Sequence, residues 1–486
     1  MAPREPIQDD RDSQRDAPLS AALERFLADP GAAFTTPGHK RAAHLSDALL
    51  ALDVPLMLGV EDSRMSGRYL ARAERLAAEL WGADFCRFSV SGSTHGNEAL
   101  ALAVGRPGDR VAVSRNLHKS LFAGLILAGL EPVWLHPDID SDSGLPAGLP
   151  VSEVEWALEQ DVRAVMLVEP SYVGVISDVP AIVKCAHAAG VPVIVDQAWG
   201  AHLGLHPALP RGALRAGADA IVISAHKTLA AFTQGALVLA RKGRLDLDHL
   251  DAAFELLNTT SPSAALAASI DRARRIMALK GGDLLERTLE LAHHVRGALA
   301  DVDGLRIPGR HSFAGLPAVA DFDPLKLVLL LAGTGADGHA VERDLNDAGV
   351  RVELADRDVL IPLLTIGDDD ESVRRLIEAL RGSLAQRRGA PRAITAPSAW
   401  RVHPEMALTP RQAFFAPRER VGAEHAVGRI SAETAAPYPP GIPVLAPGEV
   451  VTAEVLERLR AEAAAGTRVA YCSDPTLATL LVVRGE

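Results

Sequence analysis

Short, mostly apolar runs recur through the first half of the chain, and segments with helical periodicity lie between many of them. Seven of these runs have the length of a buried strand: 85–90, 110–113, 132–135, 163–168, 191–195, 220–224 and 235–240. The helical segments between them include 97–104, 120–130 and 181–189. Strands that alternate with helices pair in parallel and are covered by helices on both faces. The pattern therefore predicts a large α/β domain built on a mostly parallel, seven-stranded sheet.

The pattern changes after about residue 285. A long amphipathic segment, 283–300, leads into a region with strands at 325–331 and 359–364 and helices at 340–348 and 372–384. A stretch rich in proline and arginine, 387–397, marks a further boundary. A chain of 486 residues is also too long for a single core. We predict four parts: an N-terminal tail (1–30) that runs into a short helix at 19–28, a large domain (31–285), a smaller α+β domain (286–390) and a C-terminal domain (391–486).

The composition narrows the range of partners. The formal net charge of -12 leaves no basic surplus to displace counterions from a phosphate backbone, which argues against a nucleic-acid partner. Cys86, Cys185 and Cys472 are too widely spaced for a disulfide framework or a zinc motif. The longest uncharged apolar stretch, 121–130, is too short to cross a bilayer, and the polar N-terminus is unlike a signal peptide. We expect a cytoplasmic protein with no membrane or nucleic-acid partner and no metal site.

A lysine and an aspartate follow two of the predicted strands. The run 220–224 leads into Ala225-His226-Lys227, and the run 191–195 leads directly into Asp196. In open α/β sheets, ligands bind beyond the carboxyl ends of the strands, so both side chains are expected to face one crevice. Pyridoxal 5'-phosphate needs this pair, because an amine binds its aldehyde and a carboxylate keeps its pyridine nitrogen protonated.

The chain has only seven lysines, so each can be considered as the amine that binds the cofactor aldehyde. Lys227 follows a buried strand closely, and Ser224 lies one turn away, where it could reach a phosphate. The others either lie in polar loops or lack neighbours that could serve a cofactor: Lys40, Lys119, Lys184, Lys242, Lys280 and Lys326. Lys227 is therefore the predicted amine.

Polar segments at other strand ends complete the candidate site. The segment 91–96, Ser-Gly-Ser-Thr-His-Gly, precedes a helix, where small residues, hydroxyls and free N–H groups suit a phosphate and equally suit an N-cap. His118 follows the next strand and could lie over a planar cofactor ring, although single histidines are more often structural. Ala198, two residues after Asp196, is small enough to approach a ring face.

Taken together, these segments resemble the ornithine/lysine/arginine decarboxylase family, whose members have the aspartate-aminotransferase-like fold. The resemblance runs in family order from about residue 31 to the C-terminus, over 36–40, 91–98, 116–120, 170–174, 196–199, 224–227, 260–262 and 438–443. The chain lacks room for the additional N-terminal domain of the large inducible members, so it is more similar to the compact forms.

The resemblance implies a pyridoxal phosphate-dependent α-decarboxylation of arginine, lysine or ornithine to the corresponding amine. It implies that Lys227 binds the cofactor covalently, that Asp196 pairs with the pyridine nitrogen, and that His118 and Ala198 lie against the ring. It places His226 beside the lysine, and either Lys227 or His226 is a candidate donor of the proton to Cα. The residues implied for the phosphate are Ser93, Thr94, His95, Ser224 and, from a partner subunit, Thr260. A shared phosphate site predicts a homodimer or a larger homo-oligomer.

The substrate is left open by the sequence. Glu169 and Gln197 depart from the residues expected of the family. Glu433 is a candidate carboxylate for the distal charge of a basic substrate, and an exposed loop glutamate is equally compatible with its position.

Two alternative functions also remain at this stage. An aminotransferase would share the fold, the lysine and the aspartate, but would need an arginine that holds the α-carboxylate throughout. A non-catalytic, antizyme-like or regulatory relative would keep the fold alone, and the intact Lys227, Asp196 and His118 argue against it.

Overall fold

The computed structural model describes residues 13–28, 36–37, 39–40, 50–57, 60–61, 68–141, 143–313, 315–392, 398–438 and 441–485. The following parts of the sequence-based predictions lie outside this range: residues 1–12 and 29–30 of the expected tail, Gly38 of the 36–40 segment, residues 393–397 of the boundary stretch, and Pro439-Pro440 of the C-terminal turn. No helix in the described ranges combines the length and apolar character needed to span a bilayer.

A seven-stranded sheet forms the centre of the large domain. The first eight strands, of which all but β5 join this sheet, are β1 (Phe85–Ser89), β2 (Arg110–Ser114), β3 (Glu131–Leu135), β4 (Val165–Val168), β5 (Val175–Ser177), β6 (Val193–Asp196), β7 (Ala220–Ser224) and β8 (Ala236–Ala240). Their order is β1-β8-β7-β6-β4-β2-β3. β8 alone runs in the direction opposite to the other six strands of this sheet. The predicted mostly parallel sheet and its seven strands are therefore confirmed.

Helices cover both faces of this sheet. Those of the large domain are α1 (Pro18–Ala28), α2 (Tyr69–Trp81), α3 (Gly92–Ala103), α4 (Lys119–Ala128), α5 (Val151–Leu158), α6 (Val179–Ala188), α7 (Ala225–Thr228), α8 (Leu247–Leu257) and α9 (Ala264–Leu299). Successive strand residues point to opposite faces. Val193 and Val195 accordingly join the core beneath α2, α5, α6 and α9, whereas Ile194 joins the core beneath α3, α4 and α8.

Helix α3 approaches the sheet closely because of Gly96. A Cβ atom at this position would lie 2.8 Å from a methyl group of Val238 and 2.9 Å from one of Val222. The absence of a side chain therefore lets the first turns of α3 rest directly on β7 and β8. This contact brings the helix N-terminus to the edge of the sheet where the parallel strands end.

Two smaller units follow. The α+β domain contains β9 (Val319–Phe322), which pairs with β5. It also contains a three-stranded sheet of β10 (Leu329–Leu330), β11 (Leu354–Ala355) and β12 (Val359–Ile361). Its helices are α10 (Gly338–Asp347) and α11 (Asp370–Gln386). The C-terminal region holds helices α12 (Pro410–Phe415), α13 (Ala423–Ala426) and α14 (Ala453–Ala464). Its strands form two ribbons, one of β13 (Arg418–Gly422) with β16 (Thr479–Val483), the other of β14 (Ala436–Tyr438) with β15 (Arg468–Ala470). It has an apolar core of its own.

One detail differs from the predicted division of the chain. The short helix expected at the end of the N-terminal tail is present as α1, whose Leu19 is fully buried and whose first amides donate to the carboxylate of Asp271. Helix α9, in contrast, runs unbroken through the predicted boundary at residue 285. This difference arises from long-range packing, since α1 and α2 lie against α9.

Candidate active site

A cavity of about 700 Å³, partly open to solvent, lies at the carboxyl edge of the sheet. Five of the predicted site residues line it together: Ser93, His118, Asp196, Ala198 and Lys227. The sequence therefore identified the correct edge of the sheet, because these residues follow four different strands and meet only in the folded chain.

Hydrogen bonds hold the carboxylate of Asp196 in one orientation. Its Oδ2 atom accepts from the amide of Asn97 at 2.7 Å, and its Oδ1 atom accepts from the backbone N–H of Ala198 at 3.1 Å. The same Asn97 amide also donates to the hydroxyl of Ser120 at 2.9 Å. Asp196 is 4% exposed, so a ligand in the cavity would meet a carboxylate that is both fixed and shielded from water.

His118 belongs to the same network. As the N-cap of α4, it accepts the backbone N–H of Ser120 at its Nδ1 atom, which lies 2.8 Å from the Ser120 hydroxyl oxygen. Burial lowers the pKa of His118, while the charge of Asp196 acts in the opposite direction. With Nδ1 accepting, the neutral imidazole carries its proton on Nε2. The ring is thus oriented by its own helix and not by a ligand.

Lys227 is half-buried against an aromatic side chain. Its Nζ atom lies 4.2 Å from the centroid of the Trp199 ring, and Trp199 in turn makes an edge contact with Tyr172 at 5.3 Å. Burial lowers the pKa of Lys227, and the negative charges of Asp196 and Glu353 oppose this effect. The amine therefore lies in the setting that makes a lysine nucleophilic, with its carboxylate partner on the neighbouring strand.

The residues expected at the phosphate fall into two groups. Ser93 lines the cavity at the start of α3, and the buried hydroxyl of Ser224 has no hydrogen-bond partner among the described residues. Thr94, half-buried, does not line the cavity. The side chain of His95 is committed elsewhere, because its ring nitrogens pair with Ser89 at 3.2 Å and with the carbonyl of Phe254 at 2.9 Å. The expectation that the His95 side chain holds phosphate is therefore wrong for this chain.

Two further predicted residues lie outside the cavity. The Nδ1 atom of His226 is hydrogen-bonded to the carbonyl oxygen of Gly235 at 3.0 Å. This bond fixes the ring, so His226 is not free to move towards a ligand in the cavity. Thr260 lies between α8 and α9 and is exposed. Its role in a partner's phosphate site stays a prediction, since it cannot reach the cavity of its own subunit.

Glu433 requires a correction. Its two carboxylate oxygens accept the backbone N–H groups of Ser473 at 2.6 Å and of Leu481 at 2.7 Å, and the residue is 7% exposed. It joins two segments of the C-terminal domain and does not line the cavity. Neither the substrate role nor the exposed loop position expected from the sequence describes it, because both of its oxygens are used inside its own domain.

The two departures from the family pattern are structural as well. The buried Glu169 accepts from the backbone N–H of Ser177 at 3.1 Å and from the hydroxyl of the same residue, and burial raises its pKa to about 7. Gln197 accepts from the amide of Ala213 at 2.6 Å and donates to the carbonyl of Gly200 at 2.8 Å. Neither lines the cavity, so neither bears on the substrate.

The C-terminal domain closes the cavity through a buried ion pair. Gly441, Ile442 and Tyr471 line one wall. Arg115, just after β2, donates to both carboxylate oxygens of Glu449 at 2.6 and 2.9 Å, and to two backbone carbonyls at 443 and 444. The two side chains are 8% and 1% exposed. This pair fixes the wall segment to the large domain.

Sequence reasoning missed several of these residues. Asn97 carried a weak signal, as a polar residue on the buried side of a helix start. Arg115 and Glu449 carried none, because their partnership joins distant parts of the chain. The sequence around Lys326 indicates no neighbours that could serve a cofactor. In the structure, however, its Nζ atom lies 3.8 Å from the Trp199 ring centroid, closer than that of Lys227.

The residues present fit pyridoxal phosphate. The cavity combines an amine, a fixed carboxylate, a small side chain at Ala198 and a helix N-terminus with a hydroxyl at Ser93. The buried hydroxyl of Ser224 has no hydrogen-bond partner among the described residues, although Ser224 does not itself line the cavity. Each chemical group of the cofactor therefore finds a complementary group, and the fold and cavity define the class: an α/β enzyme of the aspartate-aminotransferase-like fold.

Comparison with known proteins identifies the family. Residues 17–372 match the model of the Orn/Lys/Arg decarboxylase major domain, and residues 394–469 match that of the C-terminal domain. The chain is 34% identical over 484 residues to an arginine decarboxylase of Bacillus anthracis, covering 97% of this chain and 98% of that protein. It is 25% identical to the constitutive lysine decarboxylase of Escherichia coli, over 90% of this chain and 76% of that protein. The chain belongs to the Orn/Lys/Arg decarboxylase family.

A solved structure agrees with this assignment at the level of the fold. The lysine decarboxylase LdcF of Francisella novicida superposes with a TM-score of 0.79 at 20% identity, over 96% of this chain and 81% of that one. Family membership confirms the predicted decarboxylase and the predicted cofactor, pyridoxal 5'-phosphate. It thereby favours decarboxylation over the transaminase and non-catalytic alternatives.

Proposed function

We propose that this chain decarboxylates arginine at Cα and releases the corresponding amine and carbon dioxide. The observation that carries the proposal is the meeting of Lys227 and Asp196 in one cavity at the carboxyl edge of the sheet. Arginine is chosen among the basic amino acids because the arginine decarboxylase of B. anthracis is more similar to the chain, at 34%, than the lysine decarboxylase of E. coli, at 25%.

Each side chain has a defined task in this reaction. Bound pyridoxal phosphate would supply an electron sink for the charge that develops at Cα when carbon dioxide leaves. Asp196, held by Asn97 and by the Ala198 amide, would place its carboxylate beside the pyridine nitrogen and so favour the protonated form of that nitrogen. His118 and Ala198 would hold the ring, and Ser93 with the start of α3 would hold the phosphate.

Lys227 would hold the aldehyde of the cofactor, and its amine is also the group that we expect to return a proton to Cα. It lines the cavity, whereas His226 does not. Burial lowers the pKa of the Lys227 amine, which makes its ammonium form a better proton donor. We therefore assign the proton return to Lys227 in preference to His226.

The distal guanidinium needs a carboxylate partner, because an unpaired charge in a closed site is costly to desolvate. Asp196 is the one carboxylate among the described residues that line the cavity, so the partner of the guanidinium is left unassigned in this chain.

We also propose that the active form is at least a homodimer. Thr260 is exposed, and the nearby Leu256 is 75% exposed although it is apolar. A second subunit would cover Leu256 and receive Thr260 at its phosphate site. Light scattering at assay concentration should give at least twice the chain mass of 51.4 kDa, and an active monomer would contradict the proposal.

The function is tested by incubating the pure protein and pyridoxal phosphate separately with arginine, lysine, ornithine and glutamate. Arginine should give amine and carbon dioxide in equal amounts, fastest of the four. Faster conversion of lysine or ornithine would overturn the choice of arginine alone. Formation of an oxo acid, or no turnover of any basic amino acid, would overturn the decarboxylase function of this chain.

The assignment of Lys227 is tested on the same preparation. Lys227→Ala should remove both turnover and the visible absorbance of the bound cofactor, whereas Lys184→Ala, on the exposed side of α6, should change neither. Borohydride reduction followed by peptide mapping then locates the modified lysine. Recovery of the label on a different lysine in the unmutated chain would show that the assignment is wrong.

A further inference from the structure

Two lysines share one indole ring at the edge of the cavity. The Nζ atoms of Lys326 and Lys227 lie 3.8 and 4.2 Å from the ring centroid of Trp199, so the two nitrogens are within about 8 Å of each other. Lys326 also lies over Tyr172, at 5.5 Å. The two lysines come from different domains, since Lys227 follows β7 and Lys326 precedes β10.

Lys326 is held rigidly in this place. A Cβ atom on Gly174 would lie 2.7 Å from the Cβ and Cγ atoms of Lys326, so a glycine is required for the stem to pass. The backbone of Lys326 accepts from the guanidinium of Arg296 at 2.7 Å and donates to the carbonyl of Asp323 at 3.0 Å. The residue is only 4% exposed, which excludes the usual role of a solvated surface lysine.

The ammonium group of Lys326 has no carboxylate within ion-pair distance in the described part of the chain. The nearest acid on its own segment, Asp323, is engaged by His202 at 3.0 Å and by the amide of Leu325 at 3.0 Å. The other titratable groups that act on it are Lys227 and Glu353. Burial lowers the pKa of Lys326 to about 8, and the charge of Lys227 acts in the same direction.

We infer that Lys326 is a positioning residue for Lys227: its ammonium group, held on the same indole, favours the uncharged and nucleophilic form of the Lys227 amine. This inference rests on the proposed role of Lys227. To attack the aldehyde, an amine must be neutral; a C–N bond forms, the oxygen leaves as water, and both protons of the amine leave with it. A neighbouring cation is a known means of making a lysine reactive near neutral pH.

The size of the effect follows from Coulomb repulsion. Two unit charges within about 8 Å, in surroundings of intermediate polarity, disfavour one another enough to change the neutral fraction of an amine about tenfold. Removal of the Lys326 charge should therefore slow the capture of the cofactor by Lys227 about tenfold at pH 7.5 and leave it unchanged at a pH high enough to deprotonate any lysine.

The experiment uses the full chain after removal of the cofactor. Pyridoxal phosphate is mixed with the protein between pH 6 and pH 10, and the rate of capture is followed by visible absorbance, without any turnover. In Lys326→Met the pH midpoint of the capture rate should move upward. In Lys326→Arg, which keeps a permanent charge, the midpoint should stay at or below that of the unmutated chain. Lys184→Met, exposed on α6, serves as the control.

A midpoint in Lys326→Met equal to that of the unmutated chain would overturn the inference, even if the variant were less stable, because a purely structural lysine changes the melting temperature and not the pH profile. An upward shift in both Lys326→Met and Lys326→Arg would also overturn it, since the charge would then not be the cause. Failure of the underlying role of Lys227 gives a different result, namely capture that survives Lys227→Ala.

Discussion

The ion pair between Arg115 and Glu449 offers a sharp test of how the C-terminal domain is held. Glu449→Gln keeps the shape of the side chain but leaves the buried guanidinium of Arg115, whose side chain is 8% exposed, without its counter-charge. Removing one partner of a buried pair costs about 3–5 kcal/mol. The segment that Arg115 anchors, around Pro443 and Val444, should therefore open far more often.

Hydrogen exchange measured by mass spectrometry reports this opening directly. Peptides that cover residues 441–451 should exchange at least about a hundredfold faster in Glu449→Gln, because local exchange follows the free energy of opening. The control is Glu419→Gln in the same domain, whose partner Arg429 lies at 2.7 Å but whose pair is about one-third exposed. Such pairs contribute less than about 1 kcal/mol, so exchange should rise less than about fivefold.

The double variant Arg115→Met, Glu449→Gln separates the two possible sources of the cost. If the unpaired buried charge dominates, the double variant should exchange more slowly than Glu449→Gln alone. Exchange in Glu449→Gln within a fewfold of the unmutated chain would refute the reasoning, since the domain would then be held by its other contacts.

Three further outcomes are expected. Asp196→Asn should fold normally but lose about a hundredfold or more in kcat, as expected when a preorganised charge is removed; near-normal turnover would mean that another group serves the pyridine nitrogen. Glu433→Gln should lower the unfolding free energy of the C-terminal domain by about 1–3 kcal/mol, because one backbone N–H loses its acceptor, and leave KM unchanged; a raised KM would restore its substrate role. Burial lowers the pKa of His136 to about 3, so this histidine is neutral in the fold and stability should be lost as the pH falls from about 6.5 towards 3; His136→Gln should flatten the decline of the melting temperature over that range, and an unchanged slope would contradict the assignment.

The local pattern predicted those features that depend on neighbours in sequence. Each strand of the central sheet is a short apolar run, and Asp196 and Lys227 follow such runs, so their common position could be inferred before any contact was known. The pattern could not reveal that β8 runs antiparallel or that α9 continues through the expected boundary, because tertiary packing decides both.

The errors have a shared physical cause. Glu433 looked like a loop carboxylate because the two amides that it binds, at Ser473 and Leu481, lie at least 40 residues further along the chain. Lys326 looked isolated because its aromatic neighbours Tyr172 and Trp199 belong to another domain. The residues next to a polar group in the sequence do not reveal that it is buried when its partner lies far along the chain. Glu433 and Lys326 are two such groups.

The wall formed by Gly441, Ile442 and Tyr471 has a consequence for the synthesis of the protein. The ribosome makes the sheet and the residues at its carboxyl edge first, and the wall residues more than about 200 positions after Lys227. Until Glu449 emerges, Arg115 lacks this counter-charge and the cavity lacks this wall. A nascent chain therefore carries the residues of the candidate site before it can shield them.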